Sequence, residues 1–290
     1  MSSIERYIDK LGKDAVEAGV ATQAPSVAEQ ASPASETAPR ATTRQHVEID
    51  FGLLHAAGML TPETAQGGLA DEYRAIKRPL LKNAFGRGAV EIDHGNLIMI
   101  TSALPGEGKT FTSINLAMSM AMELDRTVLL VEGDVAKPAV CRYCGIPEPE
   151  YGLVDYLADS NMDLSDLLMK TNVPKLTILP AGRRHPSSAE LLASTAMESL
   201  MDELANRYPD RVVLFDAPPL LLSNEAVTLS SYMGQIVVVI EAARTPQEMV
   251  KEALALLDEN QVVGVILNKN RSSAQAYGYG YGYGATGRGA

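Results

Sequence analysis

Between residues 97 and 269, short unbroken apolar runs alternate with longer stretches in which apolar residues return every three or four positions. The runs 97–101, 128–132, 176–179, 212–216, 236–240 and 262–267 show no period-two alternation, the pattern of strands covered on both faces. The stretches 110–123, 188–208 and 246–260 have helical spacing and are long enough to cross back over a sheet. Buried strands alternating with crossover helices predict an α/β fold built on a doubly wound, mostly parallel sheet. A further helix is expected over residues 62–82.

Outside that region the pattern changes. Ile4, Ile8, Leu11 and Ala15 lie at helical spacing among charged residues, predicting an amphipathic helix over 1–18. Residues 20–45 are mostly Ala, Ser, Thr and Pro without apolar periodicity, and 19–61 is read as a flexible linker. Residues 62–270 form the expected folded domain, and 271–290 a tail in which tyrosine alternates with glycine. Such a tail cannot build a core.

Composition narrows the choice of function. With 25 Lys and Arg against 36 Asp and Glu, the net charge is −11, which disfavours a protein that follows a nucleic-acid backbone. No apolar run approaches the roughly 18 residues of a membrane span, and the charged start lacks a secretory signal's apolar stretch. Two cysteines, Cys141 and Cys144, are too few for a disulfide framework, fit a reduced cytoplasmic compartment, and read as packing residues.

The chemistry concentrates where the first strand meets the first long helix. Ala103-Leu104-Pro105-Gly106-Glu107-Gly108-Lys109-Thr110 matches GxxxxGK[ST] except that Ala103 stands for the first glycine. In such a loop Gly106 and Gly108 let backbone N–H groups turn toward phosphate oxygens. Lys109 brings a cation to the β- and γ-phosphates, and Thr110 can ligate Mg²⁺. Phosphoryl transfer also needs an acid at a neighbouring strand end. Val212-Val213-Leu214-Phe215-Asp216 delivers one at the carboxyl edge of the sheet, where ligands of doubly wound folds collect. A second acidic strand end carries Glu132 and Asp134, candidates for metal and proton-transfer duties.

Together these stretches resemble the bacterial tyrosine kinases, and within them the exosortase-associated autokinases of exopolysaccharide loci. The segments 102–110, Glu132-Gly133-Asp134 and Asp216-Ala217-Pro218-Pro219 correspond to that family's Walker A, extra acidic motif and Walker B. Likeness extends from about Asp71 to Asn268 and into the tail. The extra acidic motif departs from the usual Asp-x-Asp: Glu132 replaces the first Asp, and Ala136 occupies the usual Arg position. Glutamate is one methylene longer, and a shift of about 1 Å can cost about 10²-fold in rate.

The resemblance implies an ATP-dependent protein tyrosine autokinase acting in exopolysaccharide biosynthesis or export. ATP/ADP would be held by Pro105, Gly106, Glu107, Gly108, Lys109, Thr110 and Phe111, with Asn268 at the adenine edge. Mg²⁺ would be held by Thr110 and Asp216 with help from Glu132 and Asp134; Lys109, Glu132, Asp134 and Asp216 form the implied catalytic set. Tyr277, Tyr279, Tyr281 and Tyr283 are the implied phosphoacceptors. At roughly 3.3 Å per residue, the seven steps from Asn270 to Tyr277 span about 25 Å, enough for delivery to a neighbouring subunit as readily as to its own site. A phenol with a pKa near 10 needs a carboxylate to take its proton; Asp134 is the first candidate and Glu132 the second. Asp71, Arg74 and Lys77, at three-residue spacing, correspond to the family's oligomerisation motif, implying a homo-oligomer, with a ring the arrangement the resemblance suggests. Since no span is expected in this chain, a separate membrane polysaccharide co-polymerase would be its activator, at the inner face of the membrane.

Two other classes fit parts of the pattern. A P-loop ATPase switch of the cell-division or plasmid-partition kind shares the sheet and acidic motifs, but carries an extra lysine five positions before the loop lysine, where this chain has Leu104. A nucleotide-stabilised scaffold for polysaccharide assembly is the other alternative. An ADP-bound protein without phosphotyrosine would mark it.

Overall fold

The computed structural model describes residues 45–64, 66–86 and 91–270. The expected helix over 1–18 and tyrosines 277–283 lie outside these residues.

Eight strands form one sheet: β1 (His46–Val47), β2 (Leu97–Ser102), β3 (Thr127–Glu132), β4 (Met169–Thr171), β5 (Leu176–Leu179), β6 (Arg211–Asp216), β7 (Gln235–Glu241) and β8 (Val262–Asn268). Their order is β1-β4-β5-β3-β6-β2-β7-β8. Every pairing is parallel except β4 with β5. The six strands read from unbroken apolar runs are all present. In the five inner runs alternate residues enter opposite cores, whereas β8, at the sheet edge, is mostly exposed, with Val265 and Leu267 open to solvent, so the expectation that it is covered on both faces is corrected. Leu97, Met99, Leu129, Val131, Val213 and Phe215 pack on one face, while Ile98, Ile100, Val128, Leu130, Val212 and Leu214 pack on the other. Double burial is therefore why the inner strands show no polar alternation.

Helix α1 (Phe51–Ala56), helix α2 (Gly68–Ala84) and helix α3 (Lys109–Ala121) contribute to the second core. Short helices α4 (Val140–Tyr143), α5 (Leu153–Ala158) and α6 (Leu164–Leu167) follow β3. Helices α7 (Ser188–Leu192) and α8 (Thr195–Asn206) precede β6, α9 (Asn224–Ser230) precedes β7, and α10 (Gln247–Leu254) links β7 to β8. The single helix expected over 188–208 is two, because Ser194 takes an extended backbone and its hydroxyl accepts the N–H of Met197, starting α8 afresh.

The linker reading of 19–61 is corrected over its last part: residues 45–61 fold against the sheet. Ile49, Leu54, Met59 and Leu60 are buried. Lys170 N–H donates to Gln45 O at 2.9 Å, Asn172 bonds both backbone groups of Ile49, and Leu60 N–H donates to Asn115 Oδ1 at 2.6 Å. The segment 45–61 is richer in apolar residues than the Ala, Ser, Thr and Pro tract before it, and four of them are buried once a strand edge and a helix flank are available. No helix among the described residues is long and apolar enough to cross a membrane.

Candidate functional site

Strand β2 ends at Ser102 and helix α3 begins at Lys109, so residues 103–108 must reverse the chain tightly. Gly106 and Gly108 have φ of +83° and +102°, a region that L side chains rarely adopt. A Cβ on Gly108 would also collide with the Asn268 amide nitrogen. Ala103 is fully buried and its φ is not positive, so its methyl group replaces the usual first glycine without strain.

The loop is braced from within. Glu107, expected among the nucleotide contacts, turns its carboxylate inward and is 2% exposed. It accepts the Leu104 N–H at 2.6 Å, the Glu241 N–H at 3.4 Å and the Thr245 hydroxyl. Its side chain therefore holds the loop to the end of β7, and only its backbone remains for a phosphate. Asn268, expected at the adenine edge, donates its amide to Glu107 O at 2.8 Å. Lys269 donates to Gly106 O at 2.6 Å and pairs with Glu241 at 3.0 Å. Pro105 is exposed at the loop tip, and Phe111 is half-buried against the second core.

Strands β3 and β6 lie side by side with Glu132 opposite Asp216, and the N–H groups of Gly133 and Asp134 both donate to Asp216 O at 2.9 Å. This register carries the two acidic strand ends to the loop. Thr110 Oγ1 donates to Asp216 Oδ2 at 2.7 Å and Ser113 Oγ to Asp216 Oδ1 at 3.0 Å. Lys109 Nζ meets Asp134 Oδ2 at 2.7 Å. Burial pushes the Asp216 carboxyl above the usual range, opposed by Lys109 and the two hydroxyls. Burial likewise works to lower Lys109, but the charges of Asp216, Asp134 and Glu132 outweigh it and hold the ammonium above its ordinary value. Lys109 is therefore firmly cationic.

Glu132 departs from its expected place. Its oxygens accept the N–H groups of Val140 at 2.6 Å and Ala181 at 3.3 Å, tying α4 and the end of β5 together. Burial raises its pKa, and those N–H groups only partly offset the rise. No group of three His, Cys, Asp or Glu suited to a metal occurs among the described residues, and the oxygens of Glu132 are taken by backbone N–H groups. What remains for Mg²⁺ is a hydroxyl and a carboxylate, Thr110 and Asp216. That hard-oxygen pair fits an ion that takes one or two protein ligands and completes its shell with phosphates and water.

The triplet ahead of the domain is also corrected. Arg74 pairs with Asp71 at the surface, but Lys77 is 6% exposed and turns inward, donating to Ser119 O at 2.6 Å and pairing with Glu123 at 2.5 Å. Lys77 thus caps the far end of α3 within the chain. Cys141 and Cys144 are buried free thiols, as expected. The motif reading missed Ser113, Glu241, Thr245 and Lys269. Ser113 had a signal, since four residues after Lys109 it shares a helix face with it.

A phosphate loop, an acidic strand end opposite it and a doubly wound parallel sheet define a P-loop nucleotide-binding domain, and an AAA domain family model matches residues 95–262, more than half of the chain. The chain belongs to the bacterial tyrosine kinase family. It is 36% identical over 179 residues to the tyrosine-protein kinase YwqD of Bacillus subtilis, covering 61% of this chain and 73% of that one. It is 37% identical over 179 residues to the succinoglycan biosynthesis transport protein ExoP of Rhizobium meliloti, covering 60% of this chain and 22% of that one. Among solved structures, the VpsO kinase domain aligns with a TM-score of 0.56 at 32% identity, covering 68% of this chain and 99% of that domain.

Proposed function

We propose that this protein is an ATP-dependent protein tyrosine autokinase that phosphorylates Tyr277, Tyr279, Tyr281 and Tyr283 of its tail and thereby regulates exopolysaccharide biosynthesis or export. The observation that carries the reading is the 2.7 Å pair between Lys109 and Asp134 beside the Thr110–Asp216 contact. It sets a phosphate-binding cation against a carboxylate able to act as base.

In that pair each group is masked by the other. A nucleotide phosphate that draws Lys109 to itself releases Asp134, so the base becomes available only when ATP is in place. The tyrosine Oη then attacks the γ-phosphorus, its proton passes to Asp134 Oδ2, and the bond to the β-phosphate oxygen breaks to leave ADP. Lys109 and the amides of the loop oppose the charge that develops on the transferring group. Thr110 and Asp216 would hold Mg²⁺, which when bound neutralises phosphate charge. Ser113 fixes the second oxygen of Asp216, and Glu132 positions the α4 segment rather than touching the reacting atoms. Oligomerisation through the outer face of α2, with Asp71 and Arg74, and activation by a membrane polysaccharide co-polymerase complete the proposal.

The test is mass spectrometry for phosphotyrosine after incubation with Mg-ATP, beside Lys109→Ala and a chain ending at Asn270. Label on the four tail tyrosines, absent from Lys109→Ala, supports the autokinase. Nucleotide bound or hydrolysed with no label, even with the membrane partner added, rejects it in favour of a switch or scaffold.

A further inference from the structure

Asp134 faces two ways. One oxygen holds Lys109, and the other accepts the backbone N–H of Lys137 at 3.1 Å. Lys137 begins the rim of a cavity of about 600 Å³ that reaches Glu132 and carries Arg142 and Arg184 on its lining. All three cations are exposed, and none forms an ion pair among the described residues. In a chain with a net charge of −11, three cations without an ion pair gather around one concavity beside the phosphate loop, Arg142 also lying over the Tyr143 ring at 5.6 Å. Pro138 and Pro180 add apolar wall, against which an aromatic ring can lie. Two acids also line it: Glu148 is exposed to solvent, and Glu132 has its oxygens taken by backbone N–H groups. The lining therefore carries three cations against two carboxylates, a positive excess.

The size suits an aryl phosphate, since small-ligand pockets run from about 300 to 1,000 Å³. The tail supplies such groups at a fixed interval. Alternate residues of an extended chain share a side and lie roughly 6.6 Å apart, so Tyr277, Tyr279, Tyr281 and Tyr283 can present phenols to one surface in turn. We propose that this cavity binds a phosphotyrosine of the Tyr-Gly tail, anchoring the segment while the next tyrosine is offered to Lys109 and Asp134. The inference rests on the autokinase reading. Transfer then proceeds stepwise along the repeat, each product becoming the anchor for its neighbour.

The full chain carrying Lys109→Ala, which cannot modify its ligand, is titrated with a synthetic peptide of residues 277–284 bearing one phosphotyrosine, with the unmodified peptide, and with inorganic phosphate. The phosphopeptide is expected to bind about tenfold tighter or better than the unmodified one, as charge-assisted contacts to a dianion require. The double variant Arg142→Gln/Arg184→Gln abolishes that preference, and Arg142→Lys/Arg184→Lys restores it, separating charge from folding. In the active chain, intact-mass measurement shows several phosphates per tail, and the Gln double variant stops near one. No preference for the phosphopeptide, a preference surviving in the Gln variant, or binding of inorganic phosphate as tight as that of the phosphopeptide each overturns the proposal. Binding of the phosphopeptide by a chain that never labels itself rejects the autokinase reading and leaves the anion site standing.

Discussion

Replacing Asp134 by asparagine separates the two jobs of the Lys109–Asp134 pair. At 2.7 Å, two unit charges attract by roughly 6 kcal/mol at an effective dielectric near ~20. The side chains are only 12% and 7% exposed, so desolvation consumes much of that, leaving about 1.5–3 kcal/mol for a charge-assisted bond. The amide keeps a neutral acceptor for Lys109, so the variant gives up about half of this, on the order of 1.4 kcal/mol. A phosphate that must pull Lys109 away then binds about tenfold more tightly, while transfer loses its base and slows about 10²–10⁴-fold. Calorimetric titration with a non-hydrolysable ATP analogue and the initial rate of tail labelling at saturating Mg-ATP measure the two effects. Weaker nucleotide binding together with an unchanged labelling rate would refute the argument, because it would make Asp134 a support for Lys109 rather than its competitor and the base.

Other expectations follow from the same geometry. Gly108→Ala forces a side chain into a left-handed φ and onto the Asn268 amide, so equilibrium nucleotide binding is lost. Lys77→Met removes the bond to Ser119 and the pair with Glu123, costing about 1–3 kcal/mol and lowering the melting temperature by about 2–4 °C per kcal/mol. Unchanged melting with an altered sedimentation profile would instead return Lys77 to an interface. The Asp155 carboxylate accepts the N–H groups of Gly152 and Arg183 and pairs with Arg183 at 2.7 Å. Burial works to raise its pKa, but these partners outweigh it and hold the carboxyl below its usual range. A depressed carboxylate stabilises the fold above its unfolded pKa and loses that contribution as pH falls through the folded one. Asp155→Asn should therefore be less stable than the parent at pH near ~7 by urea denaturation, with the gap closing below about pH 4.

Five strands buried on both faces announce themselves as unbroken apolar runs, and β8 carries such a run although it lies exposed at the sheet edge, which is why six of the eight were readable from residue order. β1 and β4, of two and three residues, are too short to carry any period. β1 pairs with a strand more than a hundred residues along the chain. Lys109, Thr110, Asp134 and Asp216 meet because each sits at a strand end or loop of known topology. Glu107 was not assignable, since its inward turn is decided by Thr245 and Glu241 across the sheet edge. Lys77 did leave a trace: Ala70, Tyr73, Lys77 and Leu80 share the buried face of α2, so the lysine lies within the apolar stripe. The motif spacing fixed a face for it, whereas that stripe shows which way the face points.

The family match begins at residue 95, but the molecule that holds itself together begins at least fifty residues earlier. β1 extends the sheet through β4, Leu60 hangs on Asn115, and Lys77 closes the end of α3 opposite Lys109. A chain cut at the inherited boundary would open the core around Ile98, Ile100 and Met120 and leave the last turn of the phosphate-loop helix uncapped. The stretch matched by the family model is thus smaller than what folds. The forward arm fastens the far half of the helix that begins at Lys109, Leu60 on Asn115 and Lys77 on Ser119, so the phosphate loop's helix is held from outside the matched stretch.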